Sequence, residues 1–199
     1  MPQPEVTTMT EAEYLAFDAE NDFKSEYAGG QIYMMAGASN THIDITGNIF
    51  GYLFSQLLNS SCRIAQSEMR IQIKKKSKTA YRYPDVVVVC GERNLVKDMK
   101  LATLTNPTVL FEVLSPSTAS IDRVQKLDEY QQIPSVQDYL IIAQQEARVL
   151  RFQRQSERLW LNITYTELDE AIELTSIGCT LKLSDIYRRV EFEPEDDDS

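Results

Sequence analysis

The sequence predicts an α/β fold: a mixed central β-sheet flanked by helices, with an N-terminal hairpin and C-terminal antiparallel strands. Two apolar runs with strand character, 86–90 and 108–114, lie in the middle of the chain. Segments with helical spacing of apolar residues surround these runs, and residues 138–165 read as strands. We therefore predict one domain over residues 1–192 and an acidic, disordered tail over 193–199.

Capping and turn signals predict the elements of the N-terminal part. Residues 10–13 have the spacing of a capping box, which predicts a short helix. Strand-like residues on both sides of 28–30, an Ala-Gly-Gly turn, predict a β-hairpin. Asn40 or Thr41 is expected to cap a long helix that ends near Asn59, because its apolar residues recur at helical spacing.

The middle of the chain alternates between strand and turn signals. Residues 63–74 predict two strands, and the lysine-rich run 74–78 predicts an exposed turn before the strand that holds Asp85. We expect loop with some helix over 92–106, and a helix that begins at 115–118 and ends near Gln132. Three further strand-like segments are expected to close the chain: residues 138–143, 148–154 and 159–165.

Composition restricts the class of protein and its partners. The chain has 199 residues, is 43% hydrophobic and carries a formal net charge of −10. This charge disfavours broad adhesion to nucleic acid, but an empty metal site is itself acidic, so a nuclease is not excluded. The sequence shows no transmembrane stretch and no secretion signal, so we expect a cytoplasmic protein without a membrane partner. Three cysteines without metal-ligand spacing are expected to be reduced and mostly buried.

Two acids within the apolar strand-like runs are the main functional signal. Asp85 directly precedes four valines, and Glu112 interrupts the run Thr108–Leu114. A lone ionised carboxylate in such surroundings costs several kcal/mol unless it is paired, protonated or bound to a metal. The alternative is a pair of buried acids satisfied by backbone donors or by a basic partner such as Arg82. Strand alternation predicts that Glu112 faces away from its two neighbours and alongside Leu110.

These acids fit the chemistry of a divalent-metal site. Mg²⁺ is held by oxygen ligands, usually one or two carboxylates with water and substrate phosphate. Neighbouring strands hold two carboxylates rigidly, and a phosphodiester hydrolase also needs a cation near the attacking water or the developing charge. Lysine serves this role. The sequence therefore favours Mg²⁺ or Mn²⁺ at Asp85 and Glu112.

Several short motifs along the chain together resemble a known family. In order, they are Glu26 in a Glu-Tyr-x-Gly-Gly hairpin, Ala36-Gly37-Ala38-Ser39 followed by His42, Tyr83-Pro84-Asp85, the segment 111–118, then Asp122, Lys126, Tyr130 and Asp138-Tyr139-Leu140. Their order and spacing resemble the Uma-two family of the restriction-endonuclease-like, or PD-(D/E)XK, nuclease superfamily. The resemblance implies a DNA endonuclease with metal ligands Asp85 and Glu112, and implies Glu26 as a third carboxylate near the metal.

The chain departs from the superfamily pattern at the catalytic lysine. Leu114 stands two residues after Glu112, where the superfamily has its lysine. The resemblance to the Uma-two family implies that Lys126, on the following helix, takes this role. The non-catalytic alternative is that Asp122 and Lys126, four residues apart, form an ion pair on the helix surface.

The resulting hypothesis is a Mg²⁺- or Mn²⁺-dependent hydrolase that cleaves DNA by metal-activated water. The catalytic residues would be Asp85, Glu112, Lys126 and Glu26. The competing hypothesis is a catalytically degenerate member of the same fold that acts as a DNA-binding or assembly protein. A third hypothesis is a phosphohydrolase of small nucleotides. A homodimer fits duplex cleavage, and its candidate interface residues lie in the C-terminal strands: Leu150, Phe152, Leu159 and Trp160.

Overall fold

The structure is a computed structural model that describes residues 8–192 apart from 22, 36, 76–77, 98 and 115–120, and only the backbone of 121–123. The helices within these residues are α1 (Glu11–Glu20), α2 (Asn40–Leu57), α3 (Ile121–Gln131) and α4 (Leu183–Ile186). The strands are β1 (Ser25–Ala28), β2 (Gln31–Met34), β3 (Cys62–Gln66), β4 (Arg70–Lys75), β5 (Lys78–Arg82), β6 (Val86–Cys90), β7 (Thr103–Leu104), β8 (Val109–Leu114), β9 (Asp138–Ala143), β10 (Val149–Arg154), β11 (Trp160–Tyr165), β12 (Ala171–Leu174) and β13 (Cys179–Lys182).

The strands form a mixed central sheet and two further sheets. The central sheet has six strands in the order β11-β10-β9-β8-β6-β3. Its β8 and β9 are parallel and are connected through α3, whereas the other neighbours are antiparallel. A five-stranded sheet has the order β2-β1-β5-β4-β7, and β12 pairs with β13. The predicted mixed sheet, N-terminal hairpin and C-terminal antiparallel strands are confirmed.

The hydrophobic core lies on both faces of the central sheet. From β8, Phe111 and Val113 point into the cluster that also contains the apolar face of α2, β12, β13 and α4. Leu110 and Leu114 point into the opposite cluster, which contains residues of the five-stranded sheet and α3. Because successive strand residues alternate between faces, Glu112 shares the face of Leu110, as the sequence predicted. The site therefore faces the layer formed by the five-stranded sheet and α3.

The capping and turn residues of the N-terminal part predicted most of its structure correctly. Thr10 and Glu13 form the expected capping box of α1. Gly29 and Gly30 adopt φ angles of +57° and +101° in the hairpin turn, which glycine reaches without the steric cost of a side chain. The cap of α2 was predicted one or two residues too late, because the hydroxyl of Ser39 accepts the first-turn hydrogen bond from the His42 amide.

Other sequence-based predictions were wrong, or concern residues that the structure does not describe. The segment 92–106 contains the short strand β7 and no helix among its described residues. Strand β5 separates the lysine-rich turn from Asp85, and β12, β13 and α4 follow the last predicted strand. The start of the helix at 115–118 and the acidic tail at 193–199 lie outside the described residues. No helix in the described part of the chain is long and apolar enough to cross a membrane.

The expectation of reduced cysteines was wrong for two of the three. Cys62 on β3 and Cys90 on β6 are direct cross-strand partners and form a disulfide. Cys179 is buried and free. Sequence spacing gave no sign of the pairing, since the two cysteines are 28 positions apart and only the antiparallel register of β3 and β6 brings them together.

The disulfide predicts a defined thiol count and a loss of stability on reduction. We expect the unfolded protein to titrate one thiol without reductant and three after reduction. Closing a loop of 28 residues restricts the unfolded chain, and the loop-entropy model gives about 3.5 kcal/mol of stabilisation. Urea unfolding of the Cys62→Ala/Cys90→Ala double variant measures this contribution. Three thiols in the unreduced protein would contradict the pairing.

Candidate active site

Asp85 lies immediately before β6 and beside Glu112. The antiparallel register of β6 and β8 pairs Val86 with Phe111. Asp85, one residue before Val86, therefore lies next to Glu112, one residue after Phe111. Asp85 Oδ2 accepts a hydrogen bond of 2.7 Å from the backbone N–H of Val113. Its Oδ1 accepts one of 3.0 Å from His42 Nε2, in the first turn of α2. The carboxylate is thus buried and fixed by one backbone donor and one ring nitrogen.

Glu112 is held by two residues of α3. Lys126 Nζ lies 3.1 Å from Glu112 Oε2, and the Tyr130 hydroxyl donates a hydrogen bond of 2.8 Å to Oε1. Lys126 and Tyr130 are four residues apart and therefore lie on the same face of the helix. Lys126 is 6% exposed, so its ammonium is buried beside the acids and does not lie on the helix surface. The Asp122 side chain lies outside the described residues.

Glu26 joins the same cluster from the N-terminal hairpin. Its Oε1 lies 3.2 Å from Lys126 Nζ and accepts a hydrogen bond of 3.0 Å from the backbone N–H of Tyr83. The Tyr83 hydroxyl donates to the buried carboxylate of Asp18, 2.8 Å away. The segment that leads into Asp85 is therefore anchored at both its backbone and its side chain.

Arg82 forms the second cationic centre of the cluster. Its Nη1 lies 3.0 Å from Glu26 Oε2, and its Nε and Nη2 donate to the two carboxylate oxygens of Glu129 at 2.7 and 3.0 Å. Such a two-point contact is strong and fixes the orientation of both groups. Gln125 also donates to Glu129, at 3.0 Å. Arg82 thus contacts neither Asp85 nor Glu112, contrary to the alternative considered from the sequence.

The protonation of these groups reflects burial and mutual repulsion. Burial, together with the negative charges of Asp85 and Glu26, raises the pKa of Glu112 to about 7 despite the opposing effect of Lys126. Burial also opposes ionisation of Glu26, but Lys126 and Arg82 outweigh it and lower its pKa. Burial alone would lower the pKa of His42, whereas its hydrogen bond to Asp85 and the negative charge there raise it overall. The cluster therefore favours additional positive charge.

The structure brings together all four residues that the sequence singled out: Asp85, Glu112, Lys126 and Glu26. Three other contributors were not among these four. His42 and Tyr130 were named only as parts of the family resemblance, although the spacing of three between His42 and Ile45 already placed His42 towards the buried side of α2. The pairing of Arg82 with Glu129 had no local signal, because the two residues are 47 positions apart.

The buried position of Arg82 predicts a large effect of its removal on stability. Arg82→Met leaves the carboxylates of Glu26 and Glu129 without their shared cation, and we expect the free energy of unfolding to fall by about 3–5 kcal/mol. The matched control is Arg148→Met, which breaks the exposed pair with Glu146 and should cost less than about 1 kcal/mol. Urea unfolding measures both. Equal losses would show that Arg82 is not an essential buried partner.

Comparisons with known proteins agree with this fold. Residues 11–184 match the Uma2 family model, described as "Putative restriction endonuclease". The chain is 33% identical over 192 residues to the uncharacterized protein slr1290 of Synechocystis sp., covering 96% of this chain and 97% of that protein. It is 37% identical over 153 residues to the uncharacterized protein sll1609 of the same organism, covering 77% of this chain and 85% of that protein.

A solved structure shows the same fold. It is the crystal structure of "a putative nuclease belonging to DUF820" from Anabaena variabilis, with a TM-score of 0.72 and 19% sequence identity. The match covers 90% of this chain and 97% of that chain. The predicted restriction-endonuclease-like fold is thereby confirmed, and the family match over residues 11–184 shows that this chain belongs to the Uma2 family.

Proposed function

We propose that this chain is a divalent-metal-dependent endonuclease that hydrolyses phosphodiester bonds of DNA. The family and the fold support a nuclease in general. The metal, the substrate and the roles of individual residues are inferred from the chemistry of the cluster around Asp85 and Glu112. The observation that carries the proposal is an imbalance of charge in this cluster.

The imbalance lies in the connected, buried side chains of the described part of the chain. Three carboxylates, those of Glu26, Glu112 and Glu129, share the two permanent cations Arg82 and Lys126, and the buried carboxylate of Asp85 lies beside Glu112. With these four carboxylates ionised and His42 neutral, the cluster carries two negative charges in excess. Buried charge without compensation is strongly unfavourable, so a divalent cation beside Asp85 and Glu112 would restore neutrality.

The donor set fits Mg²⁺ or Mn²⁺ at this place. Mg²⁺ is usually bound through one or two carboxylates, and substrate phosphate and water complete its coordination. Asp85 and Glu112 supply two carboxylates from adjacent strands. Among the described residues, no three acid, histidine or cysteine side chains form a ready-made cation cage. A site of two carboxylates whose coordination is completed by water or substrate phosphate agrees with this finding.

The protein residues divide the remaining work of hydrolysis among them. A bound divalent cation supplies positive charge that acidifies water and offsets charge developing at the phosphoryl group. Lys126 is held between Glu26 and Glu112, so its ammonium is already oriented to position a water or to stabilise that charge. Tyr130 and the Val113 amide fix the orientations of the two proposed metal ligands, Glu112 and Asp85. His42 holds the other oxygen of Asp85.

Cleavage of DNA is the direct test of this proposal. We expect the wild-type protein to cleave supercoiled, linear duplex or single-stranded DNA with Mg²⁺ or Mn²⁺. Asp85→Asn and Lys126→Met should each lower the rate by about 100-fold or more, since each removes a charge that the proposed reaction needs. Gel-based cleavage assays with metal, and with a chelator, measure the effect.

Matched controls separate a site effect from a general effect of charge. Asp169→Asn and Lys182→Met make the same changes at exposed positions and should leave the rate unchanged. Activity that survives in Asp85→Asn would overturn the assigned site. Wild-type protein that binds DNA but never cleaves it would favour the degenerate, DNA-binding alternative.

Binding of the metal alone provides a second test, independent of the substrate. Because a ligand that binds only the folded state stabilises it, saturating Mg²⁺ or Mn²⁺ should raise the melting temperature of the wild-type protein. At a concentration about 100 times the Kd, the stabilisation is about 2.7 kcal/mol. Asp85→Asn should lose this increase, whereas Asp169→Asn should keep it. Differential scanning calorimetry measures both, and an equal increase in all variants would place the metal elsewhere.

A further inference from the structure

Helix α2 carries a second apolar face that the described part of the chain leaves exposed. One face, formed by Ile45, Ile49, Leu53 and Leu57, is buried in the core. On another face the helix presents what we term the outer stripe: Ile43, Gly47, Phe50, Gly51, Phe54 and Leu58. Three of its large side chains, Ile43, Phe54 and Leu58, are 56%, 49% and 64% exposed. An ordinary surface helix has a single apolar stripe.

The outer stripe has the shape of a surface that another helix approaches closely. Phe50 and Phe54 stack on each other with ring centroids 5.7 Å apart. Gly47 and Gly51 leave open space beside these rings, because a Cβ added at either glycine would meet no heavy atom within 4 Å. Glycine weakens a helix relative to alanine, and no contact among the described residues compensates for it here.

The order of large and small residues in the stripe is self-complementary. Three pairs of residues are symmetric about the midpoint between residues 50 and 51: Ile43 with Leu58, Gly47 with Phe54, and Phe50 with Gly51. A two-fold axis through this midpoint would place each phenylalanine opposite a glycine of the other copy. Such matching of a surface with itself is the requirement of a two-fold dimer interface. We propose that two copies of this chain associate through the outer stripe, with their α2 helices antiparallel.

The charges near the stripe support a second copy as the occupant. The chain carries a net charge of −10, yet apart from His42, which contacts Asp85, the only acidic or basic residue of the 18-residue helix α2 is Asp44. Two copies therefore meet with little repulsion at this face.

The size of the stripe predicts a reversible dimer. The sixteen positions from Ile43 to Leu58 span about 24 Å, with a width of about 10–12 Å. This face supplies about a third of the roughly 800 Å² per partner in a standard stable interface. We therefore expect monomer and dimer to exchange in the micromolar range. The C-terminal strands are the weaker candidate, because Leu150, Phe152 and Trp160 are partly buried against the core.

Sedimentation velocity over about a hundredfold range of concentration tests the dimer without reference to any activity. The wild-type protein should shift from monomer to dimer, and Phe54→Arg should weaken the association at least about tenfold. The matched control Leu161→Arg makes the same kind of change on the exposed edge strand β11, where Leu161 is 46% exposed, and should leave the dimer intact. Circular dichroism verifies that both variants are folded.

Cross-linking tests the position of the two-fold axis. Gly51→Cys places a thiol near the axis, and mild oxidation should yield a covalent dimer on a non-reducing gel. Ser55→Cys lies one turn further along the helix, about 7 Å from the axis, and should yield much less. A wild-type protein that stays monomeric throughout, a dimer that Phe54→Arg leaves intact, or equal cross-linking at both positions would each overturn the proposal. Failure of DNA cleavage would leave it standing.

Discussion

The compensation of buried carboxylates by two cations is the constraint on which the site depends. Lys126 lies between Glu26 and Glu112, and Arg82 lies between Glu26 and Glu129. These contacts connect the N-terminal hairpin, the central sheet and α3, so the layers on one side of the sheet are held by charge as well as by apolar contact. A low-dielectric interior strengthens such contacts, and it makes the loss of any one partner costly.

The same constraint explains why the cluster is suited to a ligand. Every carboxylate oxygen of Asp85 and Glu112 already has a donor, yet burial, together with the negative charges of Asp85 and Glu26, keeps the pKa of Glu112 raised. The two carboxylates are thus fixed by His42, the Val113 amide, Tyr130 and Lys126, and Lys126 also contacts Glu26. The cluster keeps an excess of negative charge. Binding of the proposed cation would need little rearrangement of these carboxylates, and such preorganisation would favour the proposed catalysis.

The sequence predicted those parts of the fold and site that depend on local pattern. Alternation placed Glu112 on the correct face of β8, and the motif resemblance brought Lys126 to the acids although Leu114 occupies the usual lysine position. Parts that depend on long-range pairing were missed. The disulfide between Cys62 and Cys90 arises from strand register, and the contact of Arg82 with Glu129 arises from the packing of α3 on the five-stranded sheet. Neither has a signal in neighbouring residues.

The wide separation of the charged partners along the chain has a consequence for synthesis. Glu26, Asp85 and Glu112 leave the ribosome before Lys126, which lies 14 residues beyond Glu112. Until α3 emerges, closing the two sheets would bury Glu112 without its cation, and this is unfavourable. The nascent chain is therefore expected to keep the layer open, with its strand edges exposed, until the helix arrives. Chaperone contact during translation would be most needed in this interval.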